Sequence, residues 1–148
     1  MDYKDNNQDI KTYSFEDLYE GLSESFSTVI TDEMVQAFRG ITGDINPMHC
    51  DDDFSQRHGF PSRIVYGLLT TSFLSTLAGC YLPGERSLIQ ELSVKLARPV
   101  YVGDELNIKG NISQVNKSVR RIVMDVNITN QDGIEVLRGA MKVGVLND

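Results

Sequence analysis

Ile64-Val65-Tyr66-Gly67-Leu68-Leu69-Thr70-Thr71-Ser72-Phe73-Leu74-Ser75-Thr76-Leu77-Ala78-Gly79-Cys80-Tyr81-Leu82 is the stretch on which the fold turns. It is long enough to suggest a membrane span, but Thr70, Thr71, Ser72, Ser75 and Thr76 dilute it too far for hydrocarbon. Apolar residues fall on nearly every face. A helix of that kind must be enclosed by other elements. Pro83-Gly84 ends it.

Downstream the pattern changes to strands. Leu88–Leu96 mixes apolar and polar positions and stops before Pro99. Glu105–Asn111 follows the Gly103-Asp104 turn, and Val119–Asn130 leads to Gln131-Asp132-Gly133 and then Ile134–Leu146. Val119, Ile122, Met124, Val126 and Ile128 show a largely period-two face. Strands joined by tight turns predict an antiparallel meander. Upstream, Ser25–Ile30 alternates as a strand should. Thr31 or Asp32 then caps a helix that places Met34, Ala37, Phe38 and Ile41 on one face and ends at Gly43. Residues 43–61 form a long irregular stretch, with Asp51 or Asp52 capping one short turn before Gly59. A loop of that length in a compact domain is more often functional than idle. An antiparallel sheet curled around one greasy helix buries both, which is the α+β, hot-dog architecture.

Length and composition agree with this. At 148 residues the chain suits a single domain spanning 1–148, with a flexible tail over residues 1–12. Its 41% hydrophobic content leaves no case for disorder. A net charge of -7 argues against nucleic acid or anionic lipid as a partner. Cys50 and Cys80 lie far apart without a CxxC or Cys/His ligand spacing, and the polar N-terminus has neither a basic nor an apolar signal region. Reduced thiols and a cytoplasmic location are expected.

The sharpest chemical signal is Thr42-Gly43-Asp44-Ile45-Asn46-Pro47-Met48-His49. It sets a carboxylate and an imidazole five residues apart across a turn that Pro47 stiffens. Such a pair suits acid–base work on one water if both groups reach it. The plain alternative is an Asp that caps its own turn and a His bonded to backbone, an arrangement common in loops. His58 and Asp51-Asp52-Asp53 lack clear metal-site spacing, so no metal is expected, and the acidic run reads as a solvated, helix-capping patch.

Three segments carry a family resemblance: Gly43-Asp44-Ile45-Asn46-Pro47-Met48-His49, Ile64-Val65-Tyr66-Gly67-Leu68-Leu69, and Arg98-Pro99-Val100-Tyr101-Val102-Gly103-Asp104-Glu105-Leu106. In this order and at compatible spacing over roughly residues 25 to 147, they resemble the MaoC-like dehydratases, which include the (R)-specific enoyl-CoA hydratases. The resemblance implies that Asp44 and His49 activate the water added across a trans-2-enoyl thioester or recovered in dehydration. It also implies that Asn46 shapes the loop, that Ser75 supports Asp44, and that the Gly67 amide binds the thioester carbonyl. This last role has a general physical basis, since the first turn of a helix offers unpaired N–H groups to a developing oxyanion. Tyr66 stands where the family usually has His, and it keeps a hydrogen-bonding tip.

A fatty acyl thioester needs an apolar slot and a polar or basic grip on its carrier. Arg86, Lys95 and Arg98, with Arg120 and Arg121, are the basic candidates for the anionic end of coenzyme A, or they are solvated strand charges. No cofactor is implied beyond the substrate's own carrier, coenzyme A or acyl carrier protein. The resemblance and the exposed edges of a small sheet both favour a homodimer. A hot-dog thioesterase and a non-catalytic acyl-thioester-binding relative are the rival readings, the second suggested by Tyr66.

Overall fold

The computed structural model describes residues 9–148, so most of the expected tail lies outside the described residues. Lys11 and Thr12, placed in that tail by the sequence, are instead tied down. The Lys11 N–H donates to the Cys80 carbonyl at 2.9 Å, and Thr12 bridges to Gly84.

Strand β1 (Ser23–Val29) leads into helix α1 (Asp32–Thr42). The Thr31 side chain caps α1 by accepting from Met34 N, and Gly43, at φ 72°, closes it. Glycine suits that left-handed position because it has no Cβ. The stretch expected to be irregular holds two short helices, α2 (Pro47–Cys50) and α3 (Asp52–Arg57). Asn46 caps α2 with Pro47 in its first turn, and Asp51 caps α3 through Asp53 N and Phe54 N.

Helix α4 (Gly67–Thr76) continues as one π-helical stretch, Leu77–Tyr81, closed by Leu82 N to Leu77 O. Its start lies three residues later than Ile64, where the apolar run begins. Leu69, Leu74, Leu77 and Ala78 are buried, but Leu68, Ser72 and Ser75 remain open along the other side. The helix is therefore covered by one sheet rather than enclosed all round. The hydroxyls that dilute its sequence include those on the open stripe.

Strands β2 (Ser87–Leu96), β3 (Glu105–Asn116), β4 (Arg121–Thr129) and β5 (Glu135–Val145) complete one antiparallel sheet in the order β1-β3-β4-β5-β2. The meander holds for β3, β4 and β5 only. β2 pairs with β5, as in Leu92↔Met141, and not with its successor β3. The reason is visible in residues 97–104, which exceed the roughly two to five residues of a hairpin loop. They cross instead past the head of α4, where Val65 N donates to Val100 O at 2.8 Å. Asp104 anchors this crossover, accepting from Tyr101 N and from Gln131 Nε2.

The inner face of the sheet carries Ile108, Ile112, Ile122, Met124, Val126, Ile128 and Met141, all buried. The helix lies close upon it. A Cβ on Gly110 would meet Met124 Sδ at 2.5 Å and Leu77 Cδ2 at 3.0 Å. Sheet and helix thus form the expected α+β, hot-dog arrangement. Among the described residues no helix is long and apolar enough to cross a membrane.

Candidate active site

Between α1 and α2 the backbone folds on its own side chains. Asp44 N donates to Thr42 Oγ1, Asn46 N to Asp44 Oδ1 at 3.0 Å, and Met48 N to Asn46 Oδ1 at 2.9 Å. These are the local turns that Asp and Asn favour. The plain reading of Asp44 as a turn-capping residue is therefore correct as far as Oδ1 goes. The residue is exposed, and it is not among the residues that line the cavity beside His49.

His49 is half-buried, with Nδ1 2.6 Å from the Ile64 carbonyl. A carbonyl can only accept, so Nδ1 carries the proton and donates it, leaving Nε2 as the ring's remaining lone pair in the neutral imidazole. Bonding to backbone, the plain alternative for His49, thus also prepares a proton acceptor. The ring packs on Tyr66, with centroids 4.2 Å apart.

His49 and Gly67 share the wall of one cavity of about 290 Å³. Phe60, Ile64, Val65, Leu96, Ala97, Pro99, Val100 and Val136 make the wall largely apolar, and Thr70 and Arg98 add polar groups. Gly67 is the first residue of α4, whose opening N–H groups have no carbonyl one turn back. A Cβ there would meet the tip of the Leu96 side chain, which would have to shift to make room. A slot that is greasy along its length, with an imidazole, a helix N-terminus and one guanidinium, suits an acyl chain bearing a polar activated carbonyl.

The other residues singled out in the sequence fall in different places. Tyr66 is buried, and its hydroxyl donates to the Asp44 carbonyl at 2.5 Å. Ser75 lies on the open stripe of α4, and no hydrogen bond joins it to Asp44 among the described residues. Arg98 lines the His49 cavity. Lys95 instead lines a separate depression on the sheet with Asp125, Glu135 and Arg138. Arg86 pairs with Asp148 at 2.8 Å and holds the Thr12 carbonyl, so it fastens both ends of the described chain. Arg120 lies over the Phe15 ring. In the acidic run, Asp51 caps α3 and Asp52 accepts from Arg63 N, while His58 bonds the Phe54 carbonyl. Among the described residues no three His, Cys, Asp or Glu side chains gather into a metal site.

Phe60, Thr70, Leu96 and Val136 had no signal in the sequence. They reach the cavity from a loop, the core helix and two strands, and only tertiary pairing brings them together.

Comparison with known proteins points to one family. Residues 20–133 match the family model described as MaoC like domain. The chain is 35% identical over 96 residues to an (R)-specific enoyl-CoA hydratase of Rhodospirillum rubrum, covering 65% of this chain and 67% of that protein. It is 33% identical over 113 residues to a 3-hydroxybutyryl-CoA dehydratase of Methylorubrum extorquens, covering 76% and 72%. The solved structure of an (R)-hydratase from Aeromonas caviae superposes with a TM-score of 0.83 at 29% identity, covering 87% of this chain and 98% of that one.

Proposed function

The chain belongs to the MaoC-like domain family, and on that footing we propose that it hydrates trans-2-enoyl thioesters and, in reverse, dehydrates (R)-3-hydroxyacyl thioesters. The observation that carries this reading is the shared wall of His49 and Gly67 on one apolar cavity.

In the proposed reaction the enoyl chain occupies the cavity with its thioester carbonyl at the head of α4. The Gly67 N–H donates to that oxygen. A water held by the free oxygen of Asp44 and by His49 Nε2 attacks C3, forming the new C–O bond. His49 takes the water's proton as the C2–C3 double bond shifts its electrons toward the carbonyl. The resulting enolate oxygen is stabilised by the Gly67 amide and the dipole of α4. The protonated His49 then gives that proton to C2, which restores the neutral imidazole and completes addition of one water, and dehydration runs the same steps backwards. Asn46 contributes by capping α2 and so fixing the bend between the two reacting side chains.

In this reading the thioester's carrier is coenzyme A or acyl carrier protein, Arg98 on the cavity wall meets its phosphate, and the reaction uses no further cofactor. Pairing of two chains belongs to the same reading. Asp44 and the apolar residues Leu68, Leu92 and Leu96 are exposed in one chain, and a second chain would cover them. The expected location is the cytoplasm.

A spectrophotometric assay of loss of the conjugated enoyl thioester tests the proposal. Wild type should hydrate crotonyl-CoA or a longer enoyl-CoA, and Asp44→Asn and His49→Ala should each lower kcat by about 100-fold or more. Wild-type rates from both variants would remove the mechanism. A wild-type protein that binds enoyl-CoA without consuming it would remove the enzymatic reading altogether.

A further inference from the structure

Tyr66 contacts both the Asp44 backbone and the His49 ring. Its side chain is only 2% exposed. The hydroxyl donates its single proton to the Asp44 carbonyl at 2.5 Å. It accepts from Arg39 Nε–H at 3.3 Å, and the Cys50 thiol lies 4.0 Å away as a second donor. One donor and two acceptor sites are what a phenol offers, so the hydroxyl is fully matched. Its ring packs against His49 on one side and Phe38, with centroids at 5.1 Å, on the other. The next residue in the chain is Gly67.

Among the described residues, the other hydrogen bonds of residues 43–46 all run to residues 39–49 of the same segment. Met48 and His49 are bonded to Ile64, and Tyr66 adds the tie from the head of α4 that reaches Asp44 itself. Burial pushes the phenol up from its ordinary pKa, which keeps the proton in place for donation at neutral pH.

We propose that Tyr66 is a positioning residue for the hydration reaction. Its hydroxyl fixes the bend that carries Asp44, and its ring backs the His49 imidazole, so that both reacting side chains stay in register with the Gly67 amide. This rests on the function proposed above. It also accounts for the departure from the family pattern at this position. The tyrosine reaches past the His49 ring to a backbone carbonyl and draws α1 into the support through Arg39.

Tyr66→Phe is the informative variant, because it keeps the ring contacts and deletes only the hydroxyl. Expected are a kcat lowered about 10- to 100-fold, in line with small misplacements of reacting groups, and a KM within about twofold of wild type. The His49 and Ile64 amides, which bond Asn46 O and Met48 O, should exchange with solvent at least about tenfold faster as the bend loosens. A purely structural tyrosine would lower the melting temperature but leave kcat per folded molecule unchanged. A folded Tyr66→Phe protein with kcat within twofold of wild type overturns the inference, and so do wild-type exchange rates at both amides. If wild type consumes no enoyl thioester, the functional reading fails, and the two exchange rates still decide whether Tyr66 holds the bend.

Discussion

An alanine at position 67 would place its Cβ against the tip of Leu96, and it would also stand between an incoming carbonyl and the first amides of α4. Alanine itself is a good helix residue, and the obstructing atom is the far end of a side chain that is 52% exposed, so the fold has room to adjust. Gly67→Ala is therefore expected to melt within a few degrees of wild type while kcat/KM falls at least about tenfold. Gly67→Ala/Leu96→Ala separates the two causes. Recovery of activity in the double variant would assign the loss to crowding by Leu96, and continued loss would assign it to the blocked approach to the backbone. Wild-type kcat/KM in Gly67→Ala would sink the carbonyl-binding role. At this scale the sequence is legible where chemistry is local. The Asp44-Asn46-Pro47 turn follows from residues a few positions apart, whereas the apolar run begins at Ile64 and only the family resemblance marked Gly67 as a helix head. Tyr66 read only as a departure from a pattern, because its partners Asp44, Arg39 and His49 are distant in sequence. The restraint on Gly67 was hidden for the same reason, since Leu96 comes from another element.

Elements whose ends carry their own caps match expectation closely. α1 starts after Thr31 and stops at Gly43 because a hydroxyl and a left-handed glycine satisfy its free backbone groups. The two helices within residues 43–61 are short, and their apolar periodicity is too brief to register beside the turn residues that cap them. The crossover at residues 97–104 shows a different limit. Arg98-Pro99 and Gly103-Asp104 mark turns, but not which strand comes next in space. Asp104 settles that locally through two hydrogen bonds, and Gly103 N and Asp104 O also pair with Ile30 at the end of β1. Asp104→Ala would leave the Tyr101 and Gln131 donors without their acceptor, at a cost of about 1–3 kcal/mol. The urea midpoint should fall accordingly with an unchanged slope, and Asp104→Asn, which keeps one carbonyl oxygen, should lose less. An Asp104→Ala protein that unfolds at the wild-type midpoint would show that the crossover is held by Val65–Val100 and the Ile30 pairing alone.

For the whole molecule, the strand order decides which surfaces remain open. A complete meander would have put β2 beside β3; instead it is an edge, bonded to β5 alone, with Leu88, Leu92 and Leu96 exposed. Leu68, at 68% exposure, follows the Gly67 that touches Leu96, so the open stripe of α4 and the end of β2 lie side by side next to the cavity. An apolar edge of this kind invites pairing, and Lys95, Glu91 and the bulge between Ile89 and Glu91 blunt it only in part. Two chains related by a twofold axis would each bury the other's stripe. Sedimentation equilibrium should therefore give twice the chain's 16.6 kDa. Leu92→Lys adds a charge to the exposed strand without touching His49, Gly67 or the cavity wall, so it should shift the protein toward monomer while its circular dichroism is retained. If the site is finished by the second chain, hydratase activity should then recover as protein concentration is raised, because mass action restores the pair. A monomeric wild type with full specific activity at every concentration would mean that each chain completes its own site.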